Sequence, residues 1–237
     1  MSYAPDNYER DFYQADAGVN ERAAFLKRVY AHVFGAVVAL AGLIAFYLTS
    51  GIAESITMML VKAWWLTLLG FIAVSWLAEK WAYSGASQGT QYAGLGLYVL
   101  AQSLIMTPLL YVAQLRLGNA DQIFMQAGFL TLLIFGGLSA VVMMTKADFS
   151  FLRGIVVIGG FAALGLVFGG MIFGFDLGLW FSVGMVALLS VTILYQTSEI
   201  YHRFPPTAHV AAALALFGSI SMLFYYLVRL LIALSDD

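Results

Sequence analysis

The sequence contains no cysteine and few charged residues. The absence of Cys among its 237 residues excludes disulfides, thiolate catalysis and cysteine-ligated zinc. Asp, Glu, Lys and Arg make up only 10% of the chain and hydrophobic residues 62%, whereas a soluble domain is about a quarter charged. Because so few charges cannot cover the surface of a soluble core, we predict an all-α polytopic membrane protein whose partner is the lipid bilayer. The net charge of −2 gives no basis for nucleic-acid binding.

Groups that could support catalysis are scarce. The chain has three His residues, and it contains no His-Glu-x-x-His motif, paired histidines or carboxylate cluster that would predict a metal site or cofactor. The segment "GGLSA" at 136–140 resembles a serine-hydrolase motif but lies inside an apolar run rather than at a strand-to-helix turn. The last apolar run has no Lys for a retinal Schiff base. The sequence therefore predicts a protein that is not an enzyme.

Long apolar runs follow one another with short polar separators. A helix needs about 20 apolar residues to span the hydrocarbon. The seven predicted spans lie near residues 29–50, 56–78, 92–115, 122–144, 154–175, 177–200 and 208–234. Lys62 interrupts the second span, so that helix can instead begin just after it. Residues 1–27 are predicted to form a polar cytoplasmic tail and residues 28–237 the seven-helix transmembrane domain, with no cleavable signal peptide.

The basic residues predict the orientation of these spans. The N-terminal tail and the second, fourth and sixth connections carry Arg10, Arg22, Lys27, Arg28, Lys80, Lys146, Arg153 and Arg203. The opposite side carries Lys62, Arg116 and Arg229. Because basic residues are retained in the cytoplasm, we expect a cytoplasmic N-terminus and, after seven spans, an external C-terminus.

Two spans have unusual composition. In the fifth span, Gly165 and Gly169, then Gly170 and Gly174, stand four residues apart. This spacing predicts close helix packing, either within the bundle or in a homodimer. The third span gathers Gln102, Ser103, Thr107 and Pro108. Here the proline predicts a kink. The segment is then either a packing kink with local hydrogen bonds, or a hinge or a polar lining for a cavity.

The sixth and seventh spans contain the strongest polar pattern. Thr192, Gln196, Glu199 and Arg203 follow at intervals of four, three and four residues, which places them on one stripe of a helix. Glu199 and Arg203 can pair as i and i+4 neighbours. If the hairpin is symmetric about residues 207 and 208, Gln196 and Ser219 lie at the same depth. The pattern predicts either a hydrogen-bonded packing seam or a polar gate near the cytoplasmic mouth of a cavity.

These segments resemble the Bax inhibitor-1 family, the transmembrane Bax inhibitor motif proteins, and most closely its bacterial branch of FtsH-protease modulators. The resemblance rests on "FLKRVYAHVF", "KADFSFLRG", "ILYQTSEIYHR" and "AALALFGSISMLFYYLVRLL" in that order. It implies a seven-helix bundle in which the last helix is central, in a bacterial inner membrane. It also implies calcium leak or binding of an FtsH-like membrane protease as family activities.

The resemblance also assigns two gate positions. Leak-competent members have an aspartate dyad on the sixth and seventh helices that senses pH, and the matching positions here are Gln196 and Ser219. Two carboxylates in contact share a proton and so respond to pH, but Gln and Ser do not ionise. We therefore expect no dyad-type pH gate in this chain. A regulator acting through protein contacts is the first hypothesis, and a calcium or other cation leak, with calcium only as permeant ion, is the alternative.

Overall fold

The computed structural model describes residues 6–83, 87–175 and 177–235, with side chains described from residue 20 onward. Over these residues the chain is helical, without strands. The helices are α1 (Asp6–Ser50), α2 (Ile52–Lys62), α3 (Trp64–Ala82), α4 (Gln88–Arg116), α5 (Ala120–Thr145), α6 (Arg153–Phe173), α7 (Leu179–His202) and α8 (His209–Ser235). Within the described residues six helices are long and apolar enough to cross a membrane, and the bent pair α2 and α3 makes a seventh span if it crosses as one unit rather than as a re-entrant loop. The prediction of an all-α polytopic membrane protein is confirmed.

The second predicted span differs from the structure in shape. Instead of one straight helix over 56–78, α2 and α3 meet at Ala63 with a bend of 99°. The α3 helix begins at Trp64, two residues after Lys62, which agrees with the alternative that the spanning helix begins just after that lysine. A charged Lys is costly in the hydrocarbon, and the bend leaves it in the short helix rather than within α3.

The α1 helix extends through the boundary predicted between tail and bundle. It begins at Asp6 and continues to Ser50 without interruption at residues 27 and 28. Its long apolar run follows Lys27 and Arg28, so the helix has about six turns before that run. Residues 1–5 of the predicted tail lie outside the described residues. From Asp6 onward the predicted tail is helical and continues directly into the first spanning helix, and its cytoplasmic location stays a prediction.

The last helix is the most buried of the spanning helices. In α8, 72% of the apolar window is buried inside the protein, compared with 0% in α6. Small side chains such as Ala211, Ala212 and Ala213 are fully buried, and they let neighbouring helices approach closely. In contrast, α6 presents Ile158, Phe161 and other large apolar side chains outward. The expectation that the last helix is central is confirmed.

One end of this bundle collects the segments that concern function. We call it the hairpin end. It contains the α7–α8 turn at Pro205 to Ala208, the segment 146–152 between α5 and α6, and the part of α1 around Arg22. The segment 146–152 begins at Lys146, which has left-handed φ of 52°, and ends in a 3₁₀ turn at Ser150–Leu152.

Candidate functional site

Gln196 and Ser219 are in direct contact at the hairpin end. The Ser219 hydroxyl donates a hydrogen bond to the Gln196 Oε1 over 2.8 Å, and Ser219 is buried within the central helix. This is the contact that hairpin symmetry predicts. Because an amide and a hydroxyl carry no titratable proton near neutral pH, the contact joins α7 to α8 without a charge.

A polar cavity of about 350 Å³ lies beside this pair. It is lined by Glu79, Tyr83, Tyr98, Gln196, Leu214, Ala215, Gly218 and Ser219. Glu79 and Tyr83 come from the end of α3, and Tyr98 comes from α4. Glu79 is the carboxylate in this lining, and the sequence pattern did not select it as a site residue. The available signal was its place in "SWLAEKWA", where an acidic group follows an apolar run.

The remaining members of the α7 stripe have separate roles. The Thr192 hydroxyl donates to the Leu188 carbonyl over 2.8 Å, so it bonds to its own helix and does not line the cavity. Glu199 and Arg203 form the predicted i,i+4 ion pair. Arg203 also contacts Asp148 Oδ2 at 3.0 Å. The stripe is therefore divided into a backbone-bonded residue, a cavity residue and an ion-paired end.

The segment between α5 and α6 docks on the end of α7. The backbone N–H of Phe149 donates to the Ser198 hydroxyl over 2.9 Å, and Ser198 is fully buried. His202 Nε2 lies 3.2 Å from the Lys146 carbonyl oxygen. The two most specific motif pieces, "KADFSFLRG" and "ILYQTSEIYHR", thus form one contact.

Asp148 fixes this segment from both of its carboxylate oxygens. Its Oδ1 accepts the backbone N–H of Ser150 over 2.9 Å, and its Oδ2 accepts from Arg203. The hydrogen bond from Ser150, supported by the positive charge of Arg203, lowers the pKa of Asp148. Sequence reasoning missed Asp148 as a site residue because its partner on α7 is 55 positions away, and only its place in a family motif marked it.

Arg22 ties the first helix to the α7–α8 turn. Its guanidinium donates to the carbonyls of Tyr201 over 2.7 Å and Phe204 over 2.6 Å. It also donates to the carbonyl of Ile200 over 2.5 Å. These carbonyls belong to the last turn of α7 and the residues after it, where helix carbonyls lack intrahelical partners and attract cations. The sequence analysis used Arg22 only as one of the basic residues that predict the orientation of the spans.

The polar patch of α4 is buried, and α4 continues through Pro108. Gln102, Ser103 and Thr107 are fully shielded from solvent. The Thr107 hydroxyl donates to the Ser103 carbonyl over 2.7 Å, and Gln102 Nε2 donates to the Tyr98 hydroxyl over 3.3 Å. The patch therefore does not line the cavity itself, although Tyr98 connects Gln102 to it.

The glycines of α6 do not form the predicted close packing within the bundle. A Cβ on Gly165 would meet nothing within 4 Å. Gly169 and Gly170 face Phe175 of the following segment, and Gly174 ends the helix with φ of 74°. The prediction is wrong for the bundle interior because α6 is peripheral. Close approach occurs instead at Gly94, where a Cβ would lie 2.6 Å from the Ala78 carbonyl oxygen. The homodimer alternative stays a prediction.

No metal site is present among the described side chains. Within residues 20–83, 87–175 and 177–235, no group of three or more His, Asp or Glu is placed to hold a metal ion. What the site offers chemically is a neutral hydrogen bond, a neighbouring carboxylate and a network of ion pairs and backbone bonds. These features suit holding two helices together or responding to a bound cation.

Comparisons with known proteins agree with the arrangement of helices and motifs. Residues 22–236 match the family described as "Inhibitor of apoptosis-promoting Bax1". An uncharacterized protein of Pseudomonas aeruginosa is 35% identical over 174 residues, which cover 72% of this chain and 75% of that relative. The family match includes Arg22, the docked segment after α5, and the Gln196–Ser219 pair. The chain belongs to the Bax inhibitor-1 family.

Proposed function

We propose that the protein is a non-enzymatic regulator in a bacterial inner membrane and acts through contacts with a membrane protease of the FtsH class. The observation that supports this best is the neutral hydrogen bond between Gln196 and Ser219. It occupies the position at which the family's leak-competent members carry a proton-sharing carboxylate pair. A site without that proton equilibrium favours a structural role for the α7–α8 hairpin.

The N-terminal part of α1 is the segment that would contact the partner. The distribution of Lys and Arg favours a cytoplasmic N-terminus. The helix begins at Asp6, and its long apolar run follows Lys27 and Arg28. The polar part before this run extends about 30 Å at 1.5 Å per residue, and Arg22 fixes it to the α7–α8 turn. A partner bound there would contact an element joined to the candidate site.

Co-purification tests this proposal. The full chain, carrying a C-terminal tag, is extracted in mild detergent, and the captured proteins are identified by mass spectrometry. We expect a membrane-anchored ATP-dependent protease, and we expect its loss when residues 2–20 are replaced by a Gly/Ser segment of equal length. The matched control replaces Lys62 with Gln, which changes a basic residue far from the extension along the sequence. Absence of the protease from the full-chain sample would contradict the proposal.

A cation leak is the second candidate, because Glu79 lines the cavity beside Gln196 and Ser219. A carboxylate among hydroxyl and amide oxygens is a suitable lining for a cation. Calcium entry into liposomes carrying the purified protein measures this activity. If there is a leak, Glu79→Gln should reduce it strongly, whereas Glu199→Gln should not, because Glu199 pairs with Arg203 and does not line the cavity. Flux equal to that of empty liposomes at acidic and neutral pH would exclude the leak.

A further inference from the structure

Two cavities follow a single seam between α1 and α4. The first, of about 550 Å³, lies at the hairpin end and is lined by polar residues including Asn20, Glu21, Arg28, Gln88, Thr207 and His209. The second, also of about 550 Å³, is an apolar groove lined by residues including Ala31, Gly35, Ala39, Leu43, Gly96 and Leu100. His32 and Tyr92 line the start of the groove, with His32 Nε2 3.2 Å from the Tyr92 hydroxyl. The seam therefore changes from polar to apolar along α1.

The two cavities lie at depths that correspond to the parts of a phospholipid. The apolar run of α1 begins after Arg28 and continues to Ser50, about 33 Å of helix against a hydrocarbon core about 30 Å thick. The exposed Arg28 therefore lies at the level of the headgroups. The groove from Ala31 to Leu43 is about 18 Å long, close to the thickness of one leaflet.

The polar cavity has the features of a phosphate site. Arg28 makes no ion pair within the described residues and is free to bind an anion. The N-termini of two long helices, α4 at Gln88 and α8 at His209, reach the same cavity, and helix N-termini attract anions. His209 is only 5% exposed, and its Nδ1 has no hydrogen-bond partner within the described part of the chain.

Glu21 distinguishes this cavity from a simple anion site. Its carboxylate lines the same cavity, about two helical turns before Arg28 and thus farther from the hydrocarbon. Within the described residues Glu21 forms no ion pair. A ligand with its phosphate near Arg28 would place any outer substituent near Glu21, and a carboxylate favours a positively charged substituent there.

We propose that the α1–α4 seam binds one phospholipid whose headgroup consists of a phosphate followed by a primary ammonium group, as in phosphatidylethanolamine. Arg28 and the two helix N-termini bind the phosphate, Glu21 binds the ammonium, and an acyl chain lies in the groove between Ala31 and Leu43. This site is separate from the Gln196–Ser219 cavity and does not depend on the proposed partner or leak.

Native mass spectrometry of the full chain in detergent tests the proposal. Phosphatidylethanolamine, phosphatidylglycerol and phosphatidylcholine with identical acyl chains are titrated separately. We expect phosphatidylethanolamine to bind most tightly, because its ammonium donates hydrogen bonds that the trimethylammonium of phosphatidylcholine lacks. Arg28→Gln should weaken its binding about tenfold. Glu21→Gln should reduce its binding to the level of phosphatidylglycerol. The control Lys27→Gln changes an exposed neighbour that does not line the cavity and should have no effect.

The groove is tested by filling it. A Cβ on Gly96 meets nothing within 4 Å, so Gly96→Leu enters the groove without a clash at its Cβ and should weaken lipid binding. Gly137→Leu, at an exposed open position in α5, is the matched control. The soluble headgroup glycerophosphoethanolamine should bind much more weakly than the lipid. The proposal is overturned if the three lipids bind equally, if Glu21→Gln and Arg28→Gln change nothing in a folded protein, or if the soluble headgroup binds as tightly.

Discussion

The Ser219 hydroxyl donates a hydrogen bond to the Gln196 Oε1 across the turn that joins α7 to α8. Both residues line the same polar cavity as Glu79. Neither residue of the pair ionises, so the contact itself has the same charge at acidic and neutral pH. Any pH dependence of the hairpin end must therefore come from other groups. In this respect the pair differs from two carboxylates that share a proton.

Replacing both residues with Asp should introduce a pH-dependent stability. In the Gln196→Asp, Ser219→Asp variant, two carboxylates in contact raise the pKa of one of them. A group with a raised pKa in the folded state contributes stability below its unfolded pKa, and this contribution is lost as pH rises through the folded value. The Tm of the variant should therefore fall, relative to that of the natural chain, as pH rises from about 4 toward neutral.

Thermal unfolding in detergent across this pH range measures the effect. The neutral variant Gln196→Asn is the control, because it changes the side-chain length without adding a charge. Parallel Tm curves for the natural chain and the double-Asp variant would mean that the two positions are not in contact in the folded protein.

Arg22→Gln should destabilise the attachment of α1 to the α7–α8 turn. The Arg22 guanidinium donates to the carbonyls of Ile200, Tyr201 and Phe204, and a charge-assisted hydrogen bond contributes about 2 kcal/mol. We expect a loss of about that size in the free energy of unfolding, measured by thermal or chemical unfolding. Lys27→Gln removes the same charge at an exposed position of the same helix and should have little effect. Equal losses in the two variants would show that charge alone, rather than these bonds, is responsible.

The docked segment after α5 should release at low pH. The lowered pKa of Asp148 means that its contribution is fully present above the ordinary carboxyl pKa of about 3.9 and is lost as pH falls through the folded value. The N–H groups of Phe149 and Ser150 bind Ser198 and Asp148. As pH falls, the protection of these two amides from hydrogen exchange, relative to the intrinsic exchange rate at the same pH, should decrease. In Asp148→Asn this loss of protection at low pH should disappear. Its persistence in the variant would assign the release to another group.

The sequence predicted the features that depend on solvent and on local geometry. The six long apolar helices follow from the lengths of the apolar runs, and the Gln196–Ser219 contact follows from equal distance to a turn. It could not predict the 99° bend at Ala63, because the apolar run continues through Lys62. Nor could it predict the partners of Arg22, since these are backbone carbonyls 178 to 182 positions away and leave no residue pattern.

The glycine prediction failed for a related reason. Regular spacing of Gly residues in α6 permits close packing, but packing also needs a neighbouring helix on that face. The α6 helix has no buried residue, whereas Gly94 of α4 lies directly against α3. Spacing alone does not distinguish a helix at the periphery from one between two others.

Gly94→Ala should therefore be much more harmful than Gly165→Ala. At Gly94 the added Cβ would lie 2.6 Å from the Ala78 carbonyl oxygen and 3.0 Å from the Ala82 nitrogen. Both atoms belong to a helix backbone, so α3 and α4 must separate, at a cost of about 1–3 kcal/mol. At Gly165 the Cβ meets nothing within 4 Å, and the higher helix propensity of Ala should leave stability unchanged or raise it by up to about 1 kcal/mol. Comparison of the two Tm values measures this difference, and a larger loss for Gly165→Ala would place the tight helix contact at α6 after all.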